Sequence, residues 1–535
     1  MNDVAFKLWN ADITRTQDHL RWSYHSLTAL QAVIAPQSTR TPRTAQPVPP
    51  TVNRSLPCHE PDPCLPVFHF FADHFPINTT LPSILHQMRP MTLTHTVAEG
   101  RFPQLDDTSA VDLFRAKFEP ELVHLQKASA TVESGAPDPP GSLNGSTPSR
   151  YLYKHDYVEV NRTLVNMLAL KWVLAGDYNA FTACQKEQGK LSEQSFREMK
   201  EYFNRRLPTN EDIYYLLAAI VVDDIGKDPG LAKELGQRKQ KALRANIRQG
   251  NHSEVLHDVA KAGKIQALND LPEPGHTIVL RNIDIGERLN VSQLVQGENV
   301  PACLSILRQT KEDAQAFDMR AMVTVLDVAG AAAHRDARGC LVMNETVYKG
   351  YMTTIETMKR FVDGDIPSER ECYDQLLSDR LNTVGMKEDE LSTDRAERRA
   401  LLRMFCMGRV DTKSRADFFI SAFRALQPTT RTDLVNGLNV DGLDDGVAVI
   451  PYYAPGLFAE VLRAYTDRED SDVVKALSAF MRLLARVFDG SKPEQGRKGD
   501  IIERDLAFIQ DDIKSEAFRR NPNILDDVPL KWDKH

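Results

Sequence analysis

The sequence predicts an all-α protein, a multi-helix domain preceded by an irregular, proline-rich N-terminal region. Three observations carry this. From about Tyr151 the chain runs in long segments that repeat apolar residues at i, i+3, i+4 and i+7 for three turns or more. Strand signals are few over the same span. Proline-rich, weakly apolar stretches are concentrated in the first 149 residues.

In chain order, residues 36–66 (PQSTRTPRTAQPVPPTVNRSLPCHEPDPCLP) and 134–149 (SGAPDPPGSLNGSTPS) hold too few large side chains to offset the entropy of ordering. They read as linkers inside an N-terminal region, 1–149. The segments RTLVNMLALKWVLAGDYNAFTACQ, EDIYYLLAAIVVDDIG, SEVLHDVAKAGKIQAL, AQAFDMRAMVTVLDVAGAAAHRDA and ALLRMFCMGRVDTKSRADFFISAFRAL form a helical domain over 150–430. A glycine-rich break, NGLNVDGLDDGVAVIPYYAPG, opens a helical extension over 431–520, and 521–535 reads as a tail. VDGLDDG is rich in oxygen donors but lacks calcium-loop spacing, so it reads as a turn.

The totals narrow the functional classes. A formal charge of −8 over 535 residues provides no basic footprint for nucleic acid. The opening MNDVAFKLWNADITRTQDHLRW lacks a signal-peptide pattern, and no window is apolar enough to span a bilayer. A cytoplasmic protein without membrane partners is expected. The seven cysteines are odd in number and lack paired spacing, which predicts reduced thiols in packed helices.

The stretch AAIVVDDIGKDPG carries two aspartates at the end of an apolar helix. Ile213, Leu217, Ile220 and Val221 form the buried stripe, and Asp224 continues it. A buried carboxylate needs a partner, and Lys227 lies three positions on. In GNHSEVLHD, Asn251 and Glu254 have capping-box spacing, placing His252 in a first helical turn. His257 and Asp258 read as a solvent-side doublet. Asp327, Ala331 and His334 fall at i, i+4 and i+7 of one helix, separated by small residues. Gly330, Ala331, Ala332 and Ala333 suit either a tight helix crossing or the approach of a substrate; Asp336 is a further candidate.

The string VVDDIGK resembles the signature of the HD-domain metal-dependent superfamily, with similarity confined to about Glu211–Cys340. The resemblance implies an all-helical HD-like domain. Asp223 stands at the family's histidine of the doublet and Asp224 at its aspartate. His252 and His276 stand for later histidines and Asp327 for the closing aspartate, with His334 as a further nitrogen donor. With oxygen ligands dominant, the implied ion is Mg or Mn before Zn or Fe. The implied activity is hydrolysis of a small phosphorylated substrate, with Lys227 and Arg335 (or Arg338) meeting phosphate. A longer run, ENVPACLSILRQ to FDMRAMVTVLDVAGAAAHRD, is similar to uncharacterised fungal proteins, which implies a fungal source and no activity.

Two alternatives stand beside this one. No histidine lies between His155 and His252 to supply the family's upstream ligand, so the chain also reads as a non-catalytic helical scaffold with a degenerate metal site. DDIGKD, with Asp223, Asp224 and Asp228, is also similar to the aspartate-rich motif with which class I terpene synthases hold Mg and a prenyl diphosphate.

Overall fold

Amphipathic periodicity becomes helix almost wherever the sequence carries it. The computed structural model describes residues 91–129, 139–242, 252–308, 314–488 and 501–530, with side chains omitted for 236–242. The stretch 36–66 and the cap residue Asn251 lie outside the described residues. The described residues from Thr92 onward belong to one compact unit.

The longer helices are α1 (Asp107–Ala128), α2 (Val158–Ala175), α3 (Glu193–Arg206), α4 (Asn210–Val222), α5 (Pro229–Ala242), α6 (His252–Lys261), α7 (Gly275–Arg288) and α8 (Ala314–Gly330). They continue with α9 (Glu345–Asp363), α10 (Glu369–Val384), α11 (Arg395–Met407), α12 (Lys413–Arg424), α13 (Pro428–Asn439), α14 (Ala454–Ala464) and α15 (Asp470–Phe488). Two strands, β1 (Ala448–Tyr452) and β2 (Ile501–Asp505), pair in parallel with Ala448 opposite Ile501. The fold is therefore all-α with one small ribbon.

Local chemistry sets the ends of these helices. Thr209 and Asp212 form a capping box at the start of α4. Gly176, in the left-handed region at φ 80°, closes α2. Helix α2 is the central element, buried from Glu159 through Val173. It packs against α1, α4 and α8. Its crossing with α8 is tight at Gly330, where a Cβ would lie 2.0 Å from Asn166 Oδ1 and 2.7 Å from the Arg162 carbonyl oxygen. Gly330 thus serves a helix crossing, one of the two roles its size allows.

Several segments depart from the sequence reading. Residues 107–128, placed in the irregular N-terminal region, form a 22-residue helix, with a non-helical Phe118 just before Pro120. The described part of 134–149 is a packed turn, in which Gly141 bridges to both Gly145 and Ala337. Of the expected tail, Leu525 and Leu530 are buried, and Arg482 pairs with Asp526 at 2.8 Å. Helix α8 stops at Gly330, so the expected face joining Asp327 to His334 does not form. Four cysteines, at 303, 340, 372 and 406, are buried free thiols. VDGLDDG is a turn: Asp445 accepts from the Asp441 and Gly442 amides, while Asp441 pairs with Arg399 at 2.8 Å.

Candidate functional site: a charged cavity among five helices

Where α4 ends, the chain turns through a short 3-10 helix, Ile225–Lys227, that lies against the first turn of α6. Gly226 permits the approach, since a Cβ there would lie 2.0 Å from the His252 carbonyl oxygen and 2.9 Å from the Leu256 nitrogen. The glycine of IGK is therefore a contact point between backbones. It brings Asp224, Lys227 and His252 to one cavity of about 150 Å³, bordered also by residues of α2, α7, α8 and the start of α14.

The floor of this cavity is a buried ion-pair network. Asp224, 5% exposed, receives Lys227 Nζ at 2.9 Å and stands 3.5 Å from Arg162 Nε. Lys227 Nζ also donates to Glu159 Oε2 at 2.9 Å, and Arg162 Nη2 to Asp327 Oδ2 at 2.5 Å. Beside them Arg320 Nη1 donates to Asp223 Oδ1 at 2.8 Å. Arg320, Thr324 and Asp327 lie at i, i+4 and i+7 on α8 and all border the cavity. Gly286 leaves room for the Arg320 guanidinium: a Cβ there would lie 2.7 Å from Arg320 Nη1.

These surroundings separate the ionisation of the carboxyls. Burial opposes ionisation of Asp224, but Arg162 and Lys227 together overcome it and hold the group well below the usual carboxylate range. At Asp327 and Glu159 burial prevails over the neighbouring cations and raises both. Burial, reinforced by Lys227, brings His252 down to about 4, so its imidazole is neutral at pH 7. A fixed carboxylate, a raised carboxyl and a neutral imidazole thus share one cavity, an arrangement able to accept and donate protons.

Of the eight residues expected at a site, five border the cavity: Asp223, Asp224, Lys227, His252 and Asp327. His276, His334 and Arg335 do not. His276 stands 3.4 Å from Glu273 on the outer part of α7. His334 and Arg335 lie in the turn beyond α8, and Arg338 is engaged with Asp336 at 2.6 Å. His257 and Asp258 are not a free solvent doublet, because His257 Nε2 lies 2.7 Å from Asp284 on α7. Asp228 turns away from the cavity toward His124, at 2.7 Å, so the three aspartates of DDIGKD do not share a face. Glu159, Arg162 and Arg320 are not among the residues expected from the sequence; each is a charged residue within a largely buried helix.

The donor set bears on the implied metal. Among the described residues, no group of three or more His, Cys, Asp or Glu side chains is arranged to hold a metal ion. Asp223, Asp224 and Asp327 are each committed to a guanidinium or an ammonium. In this arrangement the residues do not fit a resident divalent ion.

A family model matches residues 111–525, from within α1 to the short 3-10 helix that packs on α15. The chain belongs to DUF6829, a family of unknown function. Every residue bordering the cavity lies inside the DUF6829 match. No curated protein and no solved structure matches the chain. Among the described residues, no helix is long and apolar enough to cross a membrane.

Proposed function

We propose that this DUF6829 protein is a helical scaffold that binds a small polar ligand in the charged cavity, without a resident metal. The side-chain cations Arg162 and Lys227 take the place that a divalent ion holds in the HD-like pattern. One observation carries the reading: Arg162 and Lys227 sit between Glu159, Asp224 and Asp327, at 2.5 to 3.9 Å from their oxygens. Several mutually bonded charges left from water are costly unless each has a partner, and here each has one. The neutral His252, with Ser253, Asn290, Ser292 and Gln293, gives the cavity hydrogen-bonding walls for a ligand.

A second reading, the metal-dependent phosphohydrolase, is favoured by a different observation. Four of its six implied ligands, Asp223, Asp224, His252 and Asp327, border the same cavity, from the turn after α4, from α6 and from α8. It requires Arg162 and Lys227 to release their carboxylates.

Titration of the full chain with Mn²⁺, followed by the electron paramagnetic resonance of the free ion, separates the two. Metal-free binding predicts no tight Mn²⁺ site. One tight Mn²⁺ per chain that is lost in Asp224→Asn overturns the metal-free reading and favours the metal-dependent one instead.

A further inference from the structure

The charges around the cavity are unequal. Five carboxylates border it (Asp223, Asp224, Glu287, Glu298 and Asp327) against three cations (Arg162, Lys227 and Arg320). Glu159 adds a further carboxylate behind Lys227, and Arg288 a further cation 3.4 Å from Glu287, so carboxylates remain in excess. The three cations are engaged, Arg320 with Asp223, Lys227 with Glu159 and Asp224, Arg162 with Asp224 and Asp327. An entering anion would meet an excess of carboxylates and would have to break an existing pair to find a cation.

Two groups have capacity left. Asp327 Oδ1 is buried without a hydrogen-bond partner, although Oδ2 of the same group is held by Arg162. An unsatisfied buried acceptor is unfavourable, and a ligand donor relieves it. The imidazole of His252 also borders the cavity, and in its neutral form one ring nitrogen is an acceptor. Both ask for a donor, and the surrounding charge asks for a positive one.

We infer that the ligand is a small organic cation bearing N–H donors, a primary ammonium, seated against Asp327 and the His252 imidazole. The inference rests on the metal-free binding site proposed above and assigns its ligand class. Charge attracts the ammonium, and its N–H groups distinguish it from a quaternary ammonium of equal charge.

The test is ligand-observed NMR on the full chain in chelator-treated buffer, with ethanolamine, choline and inorganic phosphate as probes. Saturation transfer to ethanolamine is expected at millimolar concentration, with choline about tenfold weaker and no broadening of the 31P line of phosphate. Asp327→Asn should weaken ethanolamine about tenfold. Glu287→Gln, at a half-buried position bordering the cavity, should weaken it about threefold. Ethanolamine that does not bind, that binds no better than choline or phosphate, or that binds equally to both variants overturns the inference. A tightly held metal in the purified chain overturns the binding mode beneath it; a metal-free chain indifferent to ethanolamine overturns the ligand class alone.

Discussion

Lys227 Nζ donates to Glu159 Oε2 at 2.9 Å across 68 residues of chain, joining the turn after α4 to the first turn of α2. Both side chains are about 95% buried or more, and Lys227 is shared with Asp224. Removing the ammonium leaves two carboxylates facing each other away from water. Lys227→Met should therefore cost about 3–5 kcal/mol in urea unfolding. Adding Glu159→Gln removes one of the stranded charges and should recover at least about 1 kcal/mol of that loss. Additive losses would show that the pair is not coupled.

Arg162 acts as an internal counter-ion to Asp224 and Asp327. Arg162→Met should lose about 3–5 kcal/mol, since it strands those carboxylates. Millimolar Mn²⁺ should restore part of this loss by supplying the missing positive charge, while the wild-type melting temperature stays unchanged. A variant that Mn²⁺ does not stabilise contradicts the idea that arginine occupies a cation's place.

Gly226 is required by a backbone contact and not by its φ. Its Cβ would fall 2.0 Å from the His252 carbonyl oxygen, and neither backbone has a flexible end that can yield. Gly226→Ala should destabilise the protein by about 3 kcal/mol or more. The same variant should shift the NMR signal of the His252 imidazole, because α6 must move away. An unperturbed signal would place His252 outside this contact.

Burial, with Lys227, brings His252 from 6.5 to about 4. Between those values the unfolded chain binds a proton that the folded chain does not, so stability rises with pH across this window and is lost as pH falls. Wild type should lose about 1–2 kcal/mol more than His252→Gln between pH 7 and pH 5. Parallel pH profiles for the two proteins would contradict a buried neutral imidazole.

The helical class and the inward phase of Asp224 were legible because period and burial are local properties of the chain. The pairing of Asp224 with Lys227 was legible for the same reason, as the two are three residues apart. Glu159 and Arg162 carried the same signal, charges within the apolar run VEVNRTLV, but a long-range partner cannot be read from spacing. On α8 the face of Asp327 was followed toward His334, whereas the cavity lies toward Arg320 and Thr324. Helix-permissive alanines concealed the true end at Gly330. Tertiary bonds hold the chain beyond it: Ala337 N–H donates to the Pro140 carbonyl and Cys340 N–H to that of Phe181, each at 2.8 Å. Helix α1 was missed because its apolar face, Val111, Phe114, Phe118, Leu122 and Leu125, falls in a region otherwise rich in proline.

In the proposed function, side-chain cations and not a metal balance the carboxylates of the cavity. Metal analysis of the purified full chain, with melting temperature recorded before and after EDTA, tests it most directly. Far less than one Mg, Mn, Fe or Zn per chain is expected, with no change in melting temperature on chelation. About one bound ion per chain, with a fall of several degrees when EDTA removes it, would show that a metal holds the site.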